Sequence, residues 1–125
     1  MLFICVDHSD FELEPLKFHG SRRIIQIASN SYHSAALTST GELYTCGSND
    51  EGQVNPYPDE DGEIQLFLPK PKIFDSIGRH RISALACGLN HTVCITATGS
   101  AISFGGCFSL LTANFQDNNL FIMFR

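Results

Sequence analysis

The sequence predicts an all-β protein that is built from repeated antiparallel units. Two observations predict this class. One pattern occurs twice along the chain at a spacing of 58 residues, and each copy contains short β-prone runs separated by glycine turns. Of the 125 residues, 43% are apolar and 17% are charged, which is typical of a globular chain and not of a disordered one.

The two copies of the pattern match without a gap. From residue 24 to residue 47, a shift of 58 positions superposes seven identical pairs of residues. They are Ile24 with Ile82, Ala28 with Ala86, His33 with His91, Thr38 with Thr96, Thr40 with Thr98, Gly41 with Gly99, and Gly47 with Gly105. A constant spacing over this length indicates two copies of one structural unit.

Each copy predicts three short strands in succession. The runs are IIQIAS, HSAALT and ELYTCG in the first copy, and ISALAC, HTVCIT and SAISFG in the second. Asn30 and Gly88 mark the first turn, because these residue types accept the left-handed backbone conformation. Gly41 and Gly99 mark the second turn, where a positive φ is most useful. Three antiparallel strands in sequence form a meander.

A fourth strand is expected between the copies, at residues 63–68. Pro69 and Pro71 follow it, and proline limits a strand to the edge of a sheet or ends it. Four-stranded meanders that repeat at this length are the blades of a β-propeller. We therefore predict antiparallel four-stranded blades of an incomplete β-propeller, with material for about two blades.

The repeated segment resembles the repeat of the regulator of chromosome condensation family, over residues 24–105. The family positions are occupied by Ala28, His33, Gly41, Tyr44, Gly47, Asn49, Gly52 and Gln53 in the first copy, and by Ala86, Gly88, His91, Gly99 and Gly105 in the second. The usual tryptophan of the family is replaced by Cys46 and Phe104, and Asn30 stands where the family prefers glycine. No Asn-x-x-Gly-Gln motif follows Gly105. The resemblance implies a seven-bladed ring of several hundred residues.

The repeat divides the chain into four segments. Residues 1–23 are the end of a preceding blade or irregular, residues 24–81 are the first copy, residues 82–106 are a truncated second copy, and residues 107–125 are an atypical tail. The tail either caps the last blade or is translated noncoding sequence from beyond a splice junction. Because a single blade cannot bury both faces of its sheet, we expect self-association or completion by a partner.

Charge and cysteine content exclude several classes of function. The net charge of −5 argues against general nucleic-acid binding, which needs a basic surface. No two of the five cysteines form a CxxC pair, so neither a disulfide framework nor a zinc site is expected. The apolar runs MLFICV and LFIMFR are too short for a membrane span. We expect an intracellular protein of the nucleus or cytoplasm, without membrane contact.

No arrangement of residues in the sequence indicates catalysis, so no enzyme activity and no cofactor are expected. A repeated histidine is more readily explained as a hydrogen-bonding residue of each blade than as a base without a nucleophile. We assign structural roles within the repeat to His33, Gly41, Gly47, Asn49, Gly52, Gln53, Gly88, His91, Gly99 and Gly105.

The leading hypothesis is a protein-interaction module that binds a protein partner through loops between the blades. The acidic residues Asp59, Glu60, Asp61 and Glu63 form the candidate contact loop, which would bind a basic partner. The resemblance implies an alternative, guanine-nucleotide exchange on a small GTPase. A truncated fragment without independent activity is the third possibility.

Overall fold

A computed structural model describes residues 22–75 and 80–106, together with the backbone of three short strands outside these ranges. The regular elements in this part of the chain are β-strands, which confirms the predicted all-β class. The first two, β1 (Phe3–Cys5) and β2 (Leu13–Pro15), pair with each other in an antiparallel sheet. The remaining strands form two sheets of four.

The first four-stranded sheet is the predicted meander. Its strands are β3 (Ile24–Ser29), β4 (His33–Thr38), β5 (Leu43–Ser48) and β6 (Phe67–Ile73), and they follow one another across the sheet in chain order. Every neighbouring pair is antiparallel. The glycine turns therefore place the first three strands as the sequence predicts.

The fourth strand of this sheet differs from the prediction of residues 63–68. It begins at Phe67 and continues through both prolines to Ile73. Residues 63–66 stay in the loop, because the Asp59 carboxylate accepts a hydrogen bond from the backbone N–H of Glu63. Pro69 and Pro71 are tolerated because β6 lies at the edge of the sheet. A bulge also takes both prolines out of the regular pairing: Leu68 pairs with Gly47 and Lys72 pairs with Thr45, so three residues of β6 lie opposite one residue of β5.

The second sheet repeats the meander and ends differently. Its strands are β7 (Ile82–Cys87), β8 (His91–Thr96), β9 (Ala101–Gly105) and β10 (Phe121–Ile122). The first three are antiparallel, but β10 pairs with β9 in the parallel direction, unlike the outer strand of the first sheet. Residues 106–120 separate these two strands, and a parallel connection needs a dozen or more residues. The rest of the tail lies outside the described residues.

The two sheets pack face to face around one apolar core. Within it, the rings of Phe74 and Phe104 stack with their centroids 4.5 Å apart. The other buried members are Ala35, Leu37 and Leu43 from the first sheet and its turns, and Ile82, Leu85, Cys94 and Ile102 from the second. Removing this apolar surface from water is the main stabilising contribution to the pairing of the sheets.

Polar contacts fix how the sheets are aligned. The Gln26 side-chain amide donates to the carbonyl of Leu85 at 2.8 Å and accepts from the Leu85 backbone N–H at 3.2 Å. At the end of the sheets near Gly41, the carbonyl of Gly41 accepts a hydrogen bond from the backbone N–H of Ile82 at 2.9 Å. These bonds hold β3 and the turn between β4 and β5 against β7. The described residues form two blades and not a closed ring.

Candidate protein-interaction surface

At one end of the two sheets, the segments that connect the strands carry carboxylates and no cationic side chain. We call it the acidic end, and it consists of the turn 30–32, the loop 49–66 and the turn 88–90. Its acidic residues are Asp50, Glu51, Asp59, Glu60, Asp61 and Glu63, and no Lys, Arg or His occurs in these three segments. A concentration of one sign of charge attracts partners of the opposite sign and speeds their association.

The long loop of the acidic end is held in place by the buried side chain of Asn49. The Asn49 Oδ1 atom accepts hydrogen bonds from the backbone N–H groups of Val54 and Asn55, at 2.9 and 2.8 Å. Its Nδ2 atom donates to the carbonyls of Asn55 and Gln65, at 2.8 and 2.7 Å. One side chain therefore joins the start, the middle and the end of the loop, and fixes its outline relative to the sheet.

Asp59 differs from the other acidic residues in the predicted contact loop. Its carboxylate accepts hydrogen bonds from the backbone N–H groups of Asp61 and Glu63, at 3.0 and 2.9 Å, and from the Gln65 side chain at 2.7 Å. The bond from Gln65, followed by that from Glu63, holds the pKa of Asp59 below its usual value. Asp59 thus orders the loop, while Glu60, Asp61 and Glu63 are exposed to solvent.

Gln53 orders the part of the loop next to the sheet. Its buried side chain accepts from the backbone N–H of Glu51 and donates to the Asp50 carboxylate, both at 2.9 Å. The bond from Gln53 is the main cause that lowers the pKa of Asp50. The neighbouring Gly52 has a positive φ of 77° and donates its N–H to the carbonyl of Asn49 at 3.0 Å. These contacts hold the part of the loop next to the sheet in one conformation.

A buried hydrogen-bond chain joins the loop to both blades through His33. The His33 Nε2 atom lies 2.9 Å from the Thr92 hydroxyl, which donates to the Gln53 carbonyl at 2.7 Å. Because a carbonyl can only accept, the Thr92 hydroxyl donates its hydrogen to Gln53, and its oxygen must accept a hydrogen bond from the Nε2–H group of His33. The Nδ1 atom of His33 is then an acceptor, and it lies 3.1 Å from the Asn30 Nδ2 donor.

This arrangement requires neutral His33 with its proton on Nε2. Burial is the first cause that lowers the pKa of His33 below its usual 6.5, which agrees with the neutral form. Thr92 was not identified from the sequence as a partner of this histidine. A hydroxyl occurs at this strand position in both copies, as Ser34 and Thr92, and that recurrence is the signal that could have indicated it.

Asn30 connects the turns of the two blades. Its Oδ1 atom accepts from the backbone N–H groups of Tyr32 and His33, which identifies Nδ2 as the donor side of the amide. That Nδ2 donates to the carbonyl of Gly88 in the second blade and lies 3.1 Å from the carbonyl of Leu89. The side chain that departs from the glycine of the family pattern therefore makes a contact between blades that glycine cannot make.

The glycines of the repeat serve two different physical needs. Gly47 and Gly105 have φ angles of 107° and 110°, a region that other residues avoid. Gly41 and Gly99 also have positive φ in the turns that they were predicted to mark. Gly88 is not among the glycines with positive φ, contrary to the expectation. Gly88 is required for a different reason: a Cβ at this position would overlap the half-buried ring of His91.

An open groove runs along the outer side of the first blade. It has a volume of about 850 Å³ and lies between residues 55–61 of the loop and strand β6. Tyr57 and Phe67, on its two walls, are 41% and 54% exposed. Neither aromatic residue was identified from the sequence, because exposure of an aromatic side chain depends on the path of the loop.

The described residues offer no other evident chemical site. They contain no group of three or more His, Cys, Asp or Glu residues that could hold a metal ion. Cys46, Cys87 and Cys94 are free thiols, and burial raises the pKa of Cys46 to about 11 and that of Cys94 to about 12. These thiols are therefore poor nucleophiles. The described segments also contain no helix with the length and apolar character that a membrane crossing requires.

Curated proteins have sequences related to this chain. The chain is 37% identical over 73 residues to the protein RCC2 homolog of Danio rerio, which covers 58% of this chain and 14% of that protein. It is 40% identical over 95 residues to the E3 ubiquitin-protein ligase HERC2 of Homo sapiens, which covers 74% of this chain and 2% of the ligase. The chain thus spans a small part of the length of these relatives.

Solved structures share the fold. The structure of Kap60 bound to yeast RCC1 (Prp20) matches 76% of this chain and 22% of the solved chain, with a TM-score of 0.63 and 24% identity. A second structure is of Prp20p from Saccharomyces cerevisiae, described with its binding properties to Gsp1p and histones. It matches 76% of this chain and 23% of the solved chain, with a TM-score of 0.62 and 26% identity.

The family models support the same assignment. Two models described as the regulator of chromosome condensation (RCC1) repeat match residues 24–53 and 40–95, which together are more than half of the chain. With the repeated sheets and the shared fold, these matches confirm the resemblance that the sequence showed. The chain belongs to the regulator of chromosome condensation (RCC1) repeat family, and its two four-stranded sheets are blades of a β-propeller.

Proposed function

We propose that this chain is a protein-interaction module whose acidic end binds a basic segment of a partner protein. The observation that carries the proposal is the separation of charge: six carboxylates and no cationic side chain lie in the three segments of that end. The bonds of Asn49 and Asp59 hold the loop in one outline, so binding requires little ordering of the loop.

The relatives support a role in binding proteins. One solved structure is of Prp20p, described with its binding properties to Gsp1p and histones, and the other is of Kap60 bound to yeast RCC1. Those partners belong to those proteins, of which this chain spans less than a quarter. Three free thiols among the described residues agree with an intracellular, reducing location, which we propose to be the nucleus or cytoplasm.

The charge proposal is tested with a fluorescein-labelled peptide rich in lysine and arginine. In the variant Glu60→Gln/Glu63→Gln, two exposed carboxylates are lost, and we expect binding to weaken about tenfold at low salt. The matched control Ser39→Lys/Ala97→Lys makes the same change in net charge at exposed turn positions of the opposite end. Fluorescence anisotropy measures both affinities.

Two results would contradict the proposal. One is equal weakening by both double variants, because net charge alone would then account for binding. The other is an affinity for the wild-type chain that does not fall as salt concentration rises, since contacts between exposed charges are screened.

Guanine-nucleotide exchange on a small GTPase is the second candidate. It is favoured by the binding of Gsp1p described for Prp20p and by 32% identity over 83 residues to the human X-linked retinitis pigmentosa GTPase regulator. Exchange requires tighter binding of the nucleotide-free GTPase than of the loaded form. Release of a fluorescent guanine nucleotide from a small GTPase measures this activity, and an unchanged release rate excludes it for this chain.

A further inference from the structure

The groove beside β6 has the chemistry of a peptide-binding site. Its volume of about 850 Å³ falls within the range of ligand clefts. Tyr57 and Pro58 lie on the loop wall, and Phe67, Pro69 and Pro71 lie on the strand wall. Aromatic and proline side chains offer flat apolar surfaces at a small cost in conformational entropy.

The backbone of β6 is poorly suited to pair with an added strand. β6 is the last strand in the order of its sheet, so one of its edges has no neighbouring strand among the described residues. Pro69 and Pro71 have no N–H to donate, and the bulge between Leu68 and Lys72 breaks the regular ladder. An occupant of the groove must therefore bind through side chains and not by extending the sheet.

Extended proline-containing segments bind in this way. A polyproline II segment makes no internal backbone hydrogen bonds and packs its proline rings against aromatic side chains in a groove. It needs no partner strand, so the prolines of β6 do not obstruct it. The exposed rings of Tyr57 and Phe67 supply the aromatic surface on opposite walls.

The charges of the groove specify the other residues of the occupant. Glu60 and Asp61 line the loop wall, and both are exposed. Lys72 is close enough to Asp59 to lower the pKa of that carboxyl, after the larger effects of its hydrogen bonds. A cationic side chain of an occupant is thus directed away from Lys70 and Lys72, toward Glu60 and Asp61.

We propose that this groove binds an extended segment of a partner protein in which prolines alternate with arginine or lysine. The prolines pack against Tyr57 and Phe67, and the cationic side chains contact Glu60 and Asp61. This inference rests on the proposed function, because it names the class of basic segment that the acidic end binds and the place where it lies.

Three fluorescein-labelled peptides of equal length test the inference. They alternate arginine with proline, arginine with glycine, and glutamate with proline. We expect the arginine–proline peptide to bind best and the glutamate–proline peptide not to bind. Tyr57→Ala and Phe67→Ala each weaken binding of the arginine–proline peptide about fivefold or more, as expected for exposed aromatic contacts. Leu89→Ala is the matched control, since Leu89 is exposed at the acidic end outside the groove.

A second measurement locates the peptide without any variant. In wild-type chain, backbone NMR shifts should change on titration at residues 57–61 and 67–73 and stay constant in the turns 30–32 and 88–90.

The outcomes separate this inference from the proposed function. The groove proposal is overturned if the arginine–proline and arginine–glycine peptides bind equally and Tyr57→Ala and Phe67→Ala have no effect. If Glu60→Gln/Glu63→Gln still weakens binding in that case, the acidic end remains the binding surface. Failure of both arginine peptides to bind overturns the proposed function as well.

Discussion

At the scale of single residues, His33 joins the loop and both blades through two ring nitrogens. Its position at the start of a strand can be recognised from the repeat. Its protonation state follows only from the donors and acceptors around it, because Thr92 and Asn30 come from different turns and strands. The hydrogen-bond chain needs neutral His33, so its integrity depends on pH.

We predict that acidification weakens the fold through His33. A lowered pKa means that the unfolded chain takes up the proton more readily than the folded chain. The stabilisation by neutral His33 is therefore complete above the usual pKa of 6.5 and is lost as the pH falls toward the folded-state value. Urea unfolding at pH 7.5 and 5.5 should show a larger loss of stability for wild type than for His33→Gln.

Between pH 7.5 and 5.5, the titration of His33 is separated from that of Asp50 and Asp59. The pKa values of Asp50 and Asp59 are lowered from 3.8, so both carboxylates stay ionised between pH 7.5 and 5.5. An identical loss of stability in wild type and His33→Gln would contradict the prediction.

A second residue-scale prediction concerns Gly88 and His91. A Cβ on Gly88 would overlap the His91 ring, so we expect Gly88→Ala to lower the free energy of unfolding by about 1–3 kcal/mol. Chemical denaturation of the two single variants and of Gly88→Ala/His91→Ala forms a double-mutant cycle. The double variant should lose less stability than the sum of the single variants. Additive losses would show that the ring is not what excludes a side chain at this position.

At the scale of secondary structure, the strand β6 shows how an edge is protected from unwanted pairing. An exposed edge strand presents unpaired N–H and C=O groups to other chains. Here two prolines and a bulge interrupt that row of groups. The sequence indicated the edge position through the prolines, but it placed the strand too early. The bond of Asp59 to Glu63 and the bond of Asn49 to Gln65 keep residues 63–66 in the loop. Asn49 and Gln65 are 16 residues apart, so no local pattern reveals their contact.

We predict that Pro69→Val/Pro71→Val promotes association of the chain. The substitutions return two N–H donors to the edge and raise its β-propensity. Light scattering as a function of concentration should show larger particles for this variant than for wild type. Pro58→Val, a substitution in the neighbouring loop, serves as the control. Particle sizes equal to those of wild type would mean that the bulge alone protects the edge.

At the scale of the whole molecule, the two blades differ in what covers equivalent positions. Leu85 is 6% exposed because the first sheet packs against it, whereas Ile27, which occupies the same position in the first copy, is 51% exposed. Ile25 beside it is 50% exposed. The first blade therefore presents apolar surface at a place where the second blade has a neighbour.

We predict that this apolar surface drives self-association in solution. Burial of Ile27 against another chain would remove apolar area from water, and a lysine there would oppose it. Sedimentation velocity should show a larger monomer fraction for Ile27→Lys than for wild type. Leu89→Lys places the same charge at another exposed apolar residue and should leave the monomer fraction unchanged. A wild-type chain that is monomeric at all concentrations would contradict the prediction.

The sequence by itself determined the repeat, the three inner strands of each blade and the turn glycines Gly41 and Gly99. These features depend on local periodicity and backbone conformation, which a linear pattern records. Only the tertiary structure decided that Asn30 and Thr92 connect the blades through His33, that Asp59 orders the loop while its neighbours face solvent, and that Tyr57 and Phe67 border one groove. The contacts between the blades join residues 58 and 59 positions apart, and packing and the pairing of buried polar groups determine their geometry. The roles of Asp59, Tyr57 and Phe67 depend on the path that the long loop takes beside β6.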